Sequence, residues 1–155
     1  MPRILAVDWG ERRIGLAVSD ELGVLASGLP TLEIRGEAEA VARVADTIRT
    51  VEADSVVVGL PLKLSGERGE AALAVERFAE ALRRATSVPV SLFDERLTSV
   101  ISERRMHERG EKSSTRAKRG PAGNKGKGKI DQGAAVALLE GWLAKLRYER
   151  EDDAR

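Results

Sequence analysis

Cysteine is absent from this chain of 155 residues, and its absence excludes several kinds of chemistry. Without a thiol there is no disulfide, no thiolate metal site and no cysteine nucleophile. Aromatic residues are scarce, at 3%, which disfavours a protein that binds single strands by stacking bases on aromatic rings. No apolar run approaches the roughly 20 residues that span a bilayer, and charged residues near the start argue against a signal peptide. We therefore expect a cytoplasmic protein with no membrane partner.

The composition fits one compact domain. Hydrophobic residues make up 42% of the chain and charged residues 33%, and a length of 155 residues allows a sizeable core. We expect a single domain over residues 1–148, which includes a flexible basic loop over residues 111–129. A charged tail over residues 149–155 follows.

The net charge is only +1, but basic residues are concentrated in one segment. Residues 112–129 contain seven basic residues and no acid, so the rest of the chain carries a net charge of −6. A basic, glycine-rich segment attached to an acidic remainder indicates contact with a polyanion such as nucleic acid. The alternative is a solvated linker that contacts nothing. The seven residues are Lys112, Arg116, Lys118, Arg119, Lys125, Lys127 and Lys129.

Short apolar and β-branched runs predict five strands, at residues 4–7, 14–19, 25–34, 55–59 and 88–93. Helical spacing of apolar residues predicts four helices, at residues 37–51, 70–85, 98–109 and 130–148. Three strands followed by alternating strands and helices predict a mixed sheet with helices on its faces. Residues 10–13 are typical of a hairpin turn, and Pro30 predicts an edge strand or a kink.

Three acidic positions stand at the ends of apolar runs. Asp8 closes the first run, the pair Asp94 and Glu95 closes the fifth, and Asp131 opens the last helical segment. Carboxylates at the edge of a core are costly unless a cation or a donor is present, and three together would form an oxygen site for a hard divalent metal. The alternation of side chains does not decide between Asp94 and Glu95.

Helical counting strengthens Asp131 as a site residue. It falls on the side of the predicted helix that carries apolar residues, whereas a surface acid would normally lie on the opposite side. The alternative is an acid in the first turn that complements the helix dipole. The residues counted on the same side are Ala134, Ala135, Leu138 and Trp142.

Four motifs in order make the chain similar to the YqgF/RuvX family of the ribonuclease H-like superfamily, which is related to RuvC-type junction resolvases. The resemblance covers roughly residues 3–146. The motifs are Asp8-Trp9-Gly10-Glu11-Arg12-Arg13-Ile14-Gly15, Gly59-Leu60-Pro61-Leu62 with Ser65-Gly66, Asp94-Glu95-Arg96-Leu97-Thr98-Ser99, and Lys129-Ile130-Asp131-Gln132.

The resemblance implies a ribonuclease H-like fold with antiparallel first to third strands and parallel fourth and fifth strands. It also implies a metal-dependent endonuclease in which Asp8, Glu95 and Asp131 are the catalytic metal ligands, so it selects Glu95 over Asp94. Three carboxylates on rigid elements resemble a site for two Mg²⁺ or Mn²⁺ ions. Motif residues with a structural role are Gly10, Gly15, Gly59, Pro61 and Thr98.

Two substrates follow from the resemblance, a Holliday junction and the 5′ end of precursor 16S ribosomal RNA, and the sequence does not choose between them. Cutting a junction symmetrically would require a homodimer with twofold symmetry. Candidate contacts to backbone phosphates are the basic cluster together with Arg12, Arg13, Lys63 and Arg96. Each is equally compatible with a solvated surface charge, and Arg96 could instead brace Glu95.

Several alternatives remain open. Trp9 could stack a base or pack at the core, and His107, the only histidine, is more typical of a surface residue than of a general base. The chain departs from the family pattern at Lys63, at Gly133 and in the length of the basic loop. A non-catalytic nucleic-acid-binding module is the main functional alternative. A sugar-kinase-like phosphotransferase also opens with Asp-x-Gly, but one short domain does not suit its two lobes.

Overall fold

The computed structural model describes residues 3–62, 65–94 and 127–153, and the side chains of residues 127–132 are not described. The predicted helix at residues 98–109 lies outside the described residues. The strands are β1 (Ile4–Trp9), β2 (Arg13–Ser19), β3 (Ala26–Glu33), β4 (Ser55–Leu60) and β5 (Val90–Asp94). The helices are α1 (Glu37–Thr50), α2 (Glu70–Ala85) and α3 (Lys127–Asp153).

The five strands form one mixed sheet in the order β3-β2-β1-β4-β5. β2 is antiparallel to both β1 and β3, whereas β1, β4 and β5 run parallel. β1 and β4 lie in the middle of the sheet, and their almost uninterrupted apolar sequences are typical of strands that are buried on both faces. The predicted fold is therefore confirmed in the number and directions of its strands, and the structure adds their order in the sheet.

Side-chain alternation divides the core into two layers. Leu5, Val7, Val56 and Val58 belong to the cluster that includes the buried faces of α1 and α2. The other face of the sheet packs against α3. That second cluster contains Ile4, Ala6, Ala17, Val57, Phe93, Ala135, Leu138, Leu139 and Leu143.

Pro30 lies in the edge strand β3, as predicted. The register between β2 and β3 shifts where Ile14 pairs with Leu32 and Leu16 pairs with Leu29. β3 therefore carries one residue more than β2 across this interval, which is the pattern of a β-bulge. Because proline lacks an N–H group, an edge strand with a bulge accommodates it without breaking a central ladder.

Helical spacing predicts that Ala38 and Ala42 lie on the buried side of α1 and Leu73 on that of α2, but the faces that are buried differ in part. In α1, Ala40 and Val44 are buried, whereas Ala38 and Ala42 are exposed. In α2, Ala72 is fully buried while Leu73 is 48% exposed. In α3, Ala135 is buried but Ala134 is exposed. A methyl group contributes little to burial energy, so the spacing of alanines is a poor guide to the face that packs.

α3 is longer than predicted at both ends. It begins at Lys127 rather than at residue 130, so the last three residues of the basic segment form helix and not loop. It continues to Asp153, through most of the predicted tail. Charged residues such as lysine, glutamate and arginine form helix about as well as leucine does, so the helix outlasts its apolar stripe. Within the described ranges, none of the helices is both long and apolar enough to cross a membrane.

Candidate active site at the carboxyl end of the sheet

β1, β4 and β5 end at the same edge of the sheet because they run parallel. Sites in α/β folds gather at the carboxyl ends of such strands. Asp8 is the last residue but one of β1 and is partly buried, and Asp94 is the last residue of β5. Two of the acidic positions singled out in the sequence are thus at one end of the molecule.

Asp8 lies between two glycines in the sheet. It is paired with Gly15 of β2, and the register that pairs Val7 with Val58 brings Gly59 to its other side. Neighbouring strands are separated by about 4.8 Å. Because neither glycine has a side chain, β2 and β4 place no side chain directly beside Asp8 in the sheet. This explains why the motifs have glycine at positions 15 and 59.

Asp8 and Asp94 belong to opposite faces of the sheet. Asp8 alternates with Ile4 and Ala6, which face α3. Asp94 instead alternates with Val90 and Leu92, which pack on the side of α1 and α2. Asp94 is therefore on the wrong face to bind the same metal ion as Asp8. Glu95, which follows it in the sequence, lies outside the described residues.

Asp131 is in α3, and only its backbone is described. The C-terminal half of α3 lies at the start of β1, where Leu143, Leu146 and Ile4 line one small cavity. From Leu143 back to position 131 the helix spans about 18 Å, at 1.5 Å per residue. β1 needs only about 13 Å to pass from Ile4 to Asp8. The helix is thus long enough for position 131 to lie level with Asp8. Both are on the face of the sheet that α3 covers.

The start of α3 argues against a dipole role for Asp131. The helix begins four residues earlier, at Lys127, and its first turn contains no acid. Asp131 consequently lies in the second turn, and the dipole effect fades within the first. Position 131 is instead one turn before Ala135, which is completely buried against the sheet.

A tight hairpin connects β1 to β2, as predicted, and it requires glycine at position 10. A Cβ atom on Gly10 would lie 2.5 Å from the carbonyl oxygen of Arg13, closer than any normal contact. The Arg12 carbonyl accepts a hydrogen bond of 2.9 Å from the N–H group of Ile34. The hairpin thereby holds Arg12 and Arg13, both exposed, at the carboxyl end of the sheet.

Trp9 packs in the core rather than presenting its ring to solvent. Its ring stacks on Phe78 of α2, with 4.5 Å between the ring centroids and 29° between the planes. It is partly buried and packs against the cluster under α1 and α2. Of the two predicted roles, core packing is the one that the structure bears out.

Some of the other predicted site residues lie within the described ranges, and the rest lie outside them. Within the described ranges, no group of three His, Cys, Asp or Glu residues is arranged to hold a metal, but the side chains of two of the three predicted ligands are not described. Pro61 directly follows β4 at the same end as Asp8. Lys127 and Lys129 are in the first turn of α3, with only their backbone described. Outside the described residues are Lys63, Arg96, Thr98, His107, Lys112, Arg116, Lys118, Arg119 and Lys125.

The sequence interpretation missed two arginines that the fold brings beside the hairpin. Arg35 and Arg43 line one open cleft with Arg12 and Arg13. Arg35 precedes α1 and Arg43 is in it, more than 20 residues from the hairpin in the sequence. A local feature of the sequence near Arg35 is the junction between β3 and α1 at Arg35-Gly36. This feature does not reveal that the β1–β2 hairpin lies next to it.

A family model described as RuvX, Holliday junction resolvase, matches residues 2–145. The chain belongs to the RuvX family. Among its relatives is a candidate pre-16S rRNA nuclease of Anaeromyxobacter dehalogenans, which is 44% identical over 141 residues, 91% of this chain and 96% of the relative. A protein of Chloroflexus aurantiacus with the same name is 44% identical over 140 residues, 90% of this chain and 85% of the relative.

Solved structures of RuvC from Thermus thermophilus share the fold of this RuvX-family chain. RuvC in complex with a Holliday junction substrate gives a TM-score of 0.56 at 18% identity, with 94% of this chain and 96% of that one covered. A second RuvC structure gives 0.53 at 17% identity, with 93% and 96% covered. At this identity the likeness concerns the fold alone, and it agrees with the ribonuclease H-like architecture predicted from the sequence.

Proposed function

We propose that this RuvX-family chain is a cytoplasmic, divalent-metal-dependent endonuclease that hydrolyses phosphodiester bonds at the carboxyl end of the sheet. Asp8, Glu95 and Asp131 are the proposed catalytic carboxylates. The observation that carries the proposal is the position of Asp8, at the end of a central strand, between two glycines and on the face covered by α3. Membership of a nuclease family supports it.

The residues fit Mg²⁺ or Mn²⁺, since carboxylate oxygens are the ligands that these hard ions prefer. Two bound ions would activate a water molecule and stabilise the leaving oxygen. The assignment of Glu95 rests on the family motif, and it is supported by the position of its neighbour Asp94 on the opposite face. The assignment of Asp131 is supported by the length and packing of α3.

Besides the carboxylates, the protein would contribute space for the substrate and positive charge that binds its phosphates. Gly15 and Gly59 leave room beside Asp8 for a phosphate and its metal ions. Arg13 stands at the same end of the sheet, where it can bind a phosphate that flanks the scissile bond, and Arg12 beside it can bind the backbone farther from the cut. The basic segment, residues 112–129, immediately precedes Asp131 in the sequence and would supply further phosphate contacts.

The substrate is structured nucleic acid that is recognised by backbone shape and charge. The family description names a Holliday junction, and the names of the relatives point to precursor 16S rRNA. A direct test is a cleavage assay of a four-way DNA junction beside an RNA with a 16S precursor 5′ end, each with Mg²⁺ and with Mn²⁺. The proposal requires metal-dependent cuts in at least one substrate and none in EDTA.

The oligomeric state of the protein on each nucleic acid would indicate which of the two substrates it cuts. Resolution of a junction needs two symmetric cuts, so we expect a twofold dimer on that substrate, whereas trimming one RNA end needs a single site. Sedimentation of the chain with each substrate would report this. A chain that binds both nucleic acids but cuts neither with any divalent metal would support the alternative, a binding module that has lost catalysis.

A further inference from the structure

An open cleft of about 1230 Å³ lies beside the β1–β2 hairpin. Its walls are the hairpin, the end of β3 and the start of α1, so it opens at the same end of the sheet as Asp8. A hydrogen bond between the Arg12 carbonyl and the N–H group of Ile34 joins two of these walls. Four arginine side chains line the cleft.

The arginines in this cleft have different tasks. Arg43 donates a hydrogen bond of 2.5 Å to the carbonyl of Glu33, and it is 3.8 Å from the Glu39 carboxylate. These contacts hold α1 against the end of β3 and offset the charge of Arg43. Arg12 and Arg35 differ, because within the described part of the chain neither guanidinium makes a hydrogen bond or an ion pair.

Both unpartnered guanidinium groups are exposed and are brought together by the fold. Arg35 directly follows Ile34, the residue bonded to Arg12, so the two arginines start from adjacent backbone segments. Glu11, Glu33 and Glu39 also line the cleft, so they offset part of the positive charge of its arginines. The first turn of α1 already contains acids, Glu37 and Glu39, so the arginines and not the helix end would hold the ligand.

One wall of the cleft contains a polar atom without a partner. The hydroxyl oxygen of Thr31 is buried in the bulge of β3 and makes no hydrogen bond among the described residues. A buried hydroxyl without a partner is destabilising, and such atoms are typical of places that a ligand or a water molecule completes.

We propose that this cleft is a second binding site for the phosphodiester backbone, separate from the catalytic carboxylates, with Arg12 and Arg35 as its anchors. It would hold the substrate a short distance from the bond that is cut and so fix the direction in which a strand leaves the site. Guanidinium groups suit this task because they bind phosphate oxygens in pairs and stay charged at any physiological pH. The proposal rests on the proposed function for the identity of the ligand, nucleic acid.

The test is binding, measured separately from cleavage. Fluorescence anisotropy of a labelled four-way junction and of a 16S precursor end would be recorded in EDTA over a range of salt concentrations. The variants are Arg35→Gln, Arg12→Gln and the double variant. Arg49→Gln is the matched control, because Arg49 is in the last turn of the same helix, at the far end of the sheet, where it pairs with Asp46.

Each arginine that neutralises a phosphate should contribute about 0.9 to the slope of log affinity against log salt on DNA. We expect that loss for each single variant, about twice that loss for the double variant, and an unchanged slope for Arg49→Gln. Shortening the bound arm of the substrate should weaken the wild type until it matches Arg35→Gln, because the contact lies beyond the cut.

The outcomes distinguish this proposal from the proposed function. Equal slopes for Arg35→Gln and Arg49→Gln would overturn the cleft site even if the wild type cuts its substrate with metal. A reduced slope for Arg35→Gln would support the cleft site even if no divalent metal produced cleavage. An effect of Arg35→Gln that persists on the shortest substrate would also overturn it, because the contact would then belong to the catalytic site.

Discussion

Asp8 of β1 lies opposite Gly15 of β2, and the continued register brings Gly59 of β4 to its other side. The carboxylate at the end of the central strand therefore has no side chain beside it in the sheet. Both glycines are buried, and the face that they share with Asp8 is the one covered by α3. Glycine at these positions makes room, which is a different task from permitting an unusual backbone conformation.

Gly15→Ala or Gly59→Ala should therefore lower the cleavage rate more than it lowers stability. A methyl group beside Asp8 would displace a bound phosphate, and a misplacement of about 1 Å can cost a factor of about 100 in rate. The measurement is single-turnover cleavage together with thermal unfolding. Gly28→Ala is the control, because Gly28 pairs with Ala17 on the same face but is exposed and lies away from Asp8. Equal rates in all three variants would contradict the role given to the two glycines.

Gly10 has a different reason to be glycine. Its Cβ atom would lie 2.5 Å from the Arg13 carbonyl, a backbone atom that cannot move without opening the hairpin. Gly10→Ala should reduce the free energy of unfolding by about 1–3 kcal/mol, the usual cost of overpacking. Denaturant unfolding would show a lower midpoint with an unchanged m-value. A wild-type midpoint would mean that the turn absorbs the methyl group.

Gly133 should behave in the opposite way. Among the described residues outside its own stretch of helix, no atom lies within 4 Å of the place where its Cβ would be, and the residue is in the second turn of α3. Gly133→Ala should raise the free energy of unfolding by up to about 1 kcal/mol, because alanine is the better helix former. The same denaturant series would measure it. Destabilisation would indicate that residues before the helix occupy the space beside position 133.

The fold could be predicted from the sequence where large apolar residues form a clear pattern, and less well where alanine dominates. β4 is apolar and β-branched throughout, so its burial and central place could be predicted from the sequence alone. The helix faces were predicted less well where alanine dominates, as the exposed Ala38 and buried Ala40 show. Alanine tolerates either environment at little cost, and the packing of larger neighbours then decides.

The sequence allows the site to be proposed residue by residue, but it does not reveal the surface around those residues. Motif order and strand ends were enough to single out Asp8, Glu95 and Asp131, and the first of these is at the expected end of the sheet. Local patterns could not reveal that Arg35 and Arg12 line the same cleft, because their proximity depends on the register of β2 and β3 and on the bulge between them. Contacts across strands carry little signal in a single sequence.

Asp20 makes the turn between β2 and β3 sensitive to acid. Hydrogen bonds from backbone N–H groups, chiefly that of Val24 at 2.8 Å, lower the pKa of Asp20 below its usual value of 3.8. Because the folded pKa is the lower one, the stabilisation is complete above pH 3.8 and is lost as the pH falls through the folded value. Asp20→Asn should lose less stability than the wild type as the pH falls below 3.8. Parallel losses measured by denaturant unfolding would contradict the prediction.

Asp94 and Glu95 are adjacent carboxylates that should respond oppositely to the same chemical change. Asp94 is on the face of the sheet away from Asp8, whereas the family motif assigns the metal to Glu95. Glu95→Gln should abolish cleavage, with a loss of about 1000-fold or more expected when a metal ligand that stabilises the transition state is removed. Asp94→Asn should keep cleavage within a few-fold of the wild type. Single-turnover rates across a Mn²⁺ titration would compare them, with circular dichroism to confirm that both variants fold. If Asp94→Asn were the inactive variant, the assignment of Glu95 as the ligand would be wrong.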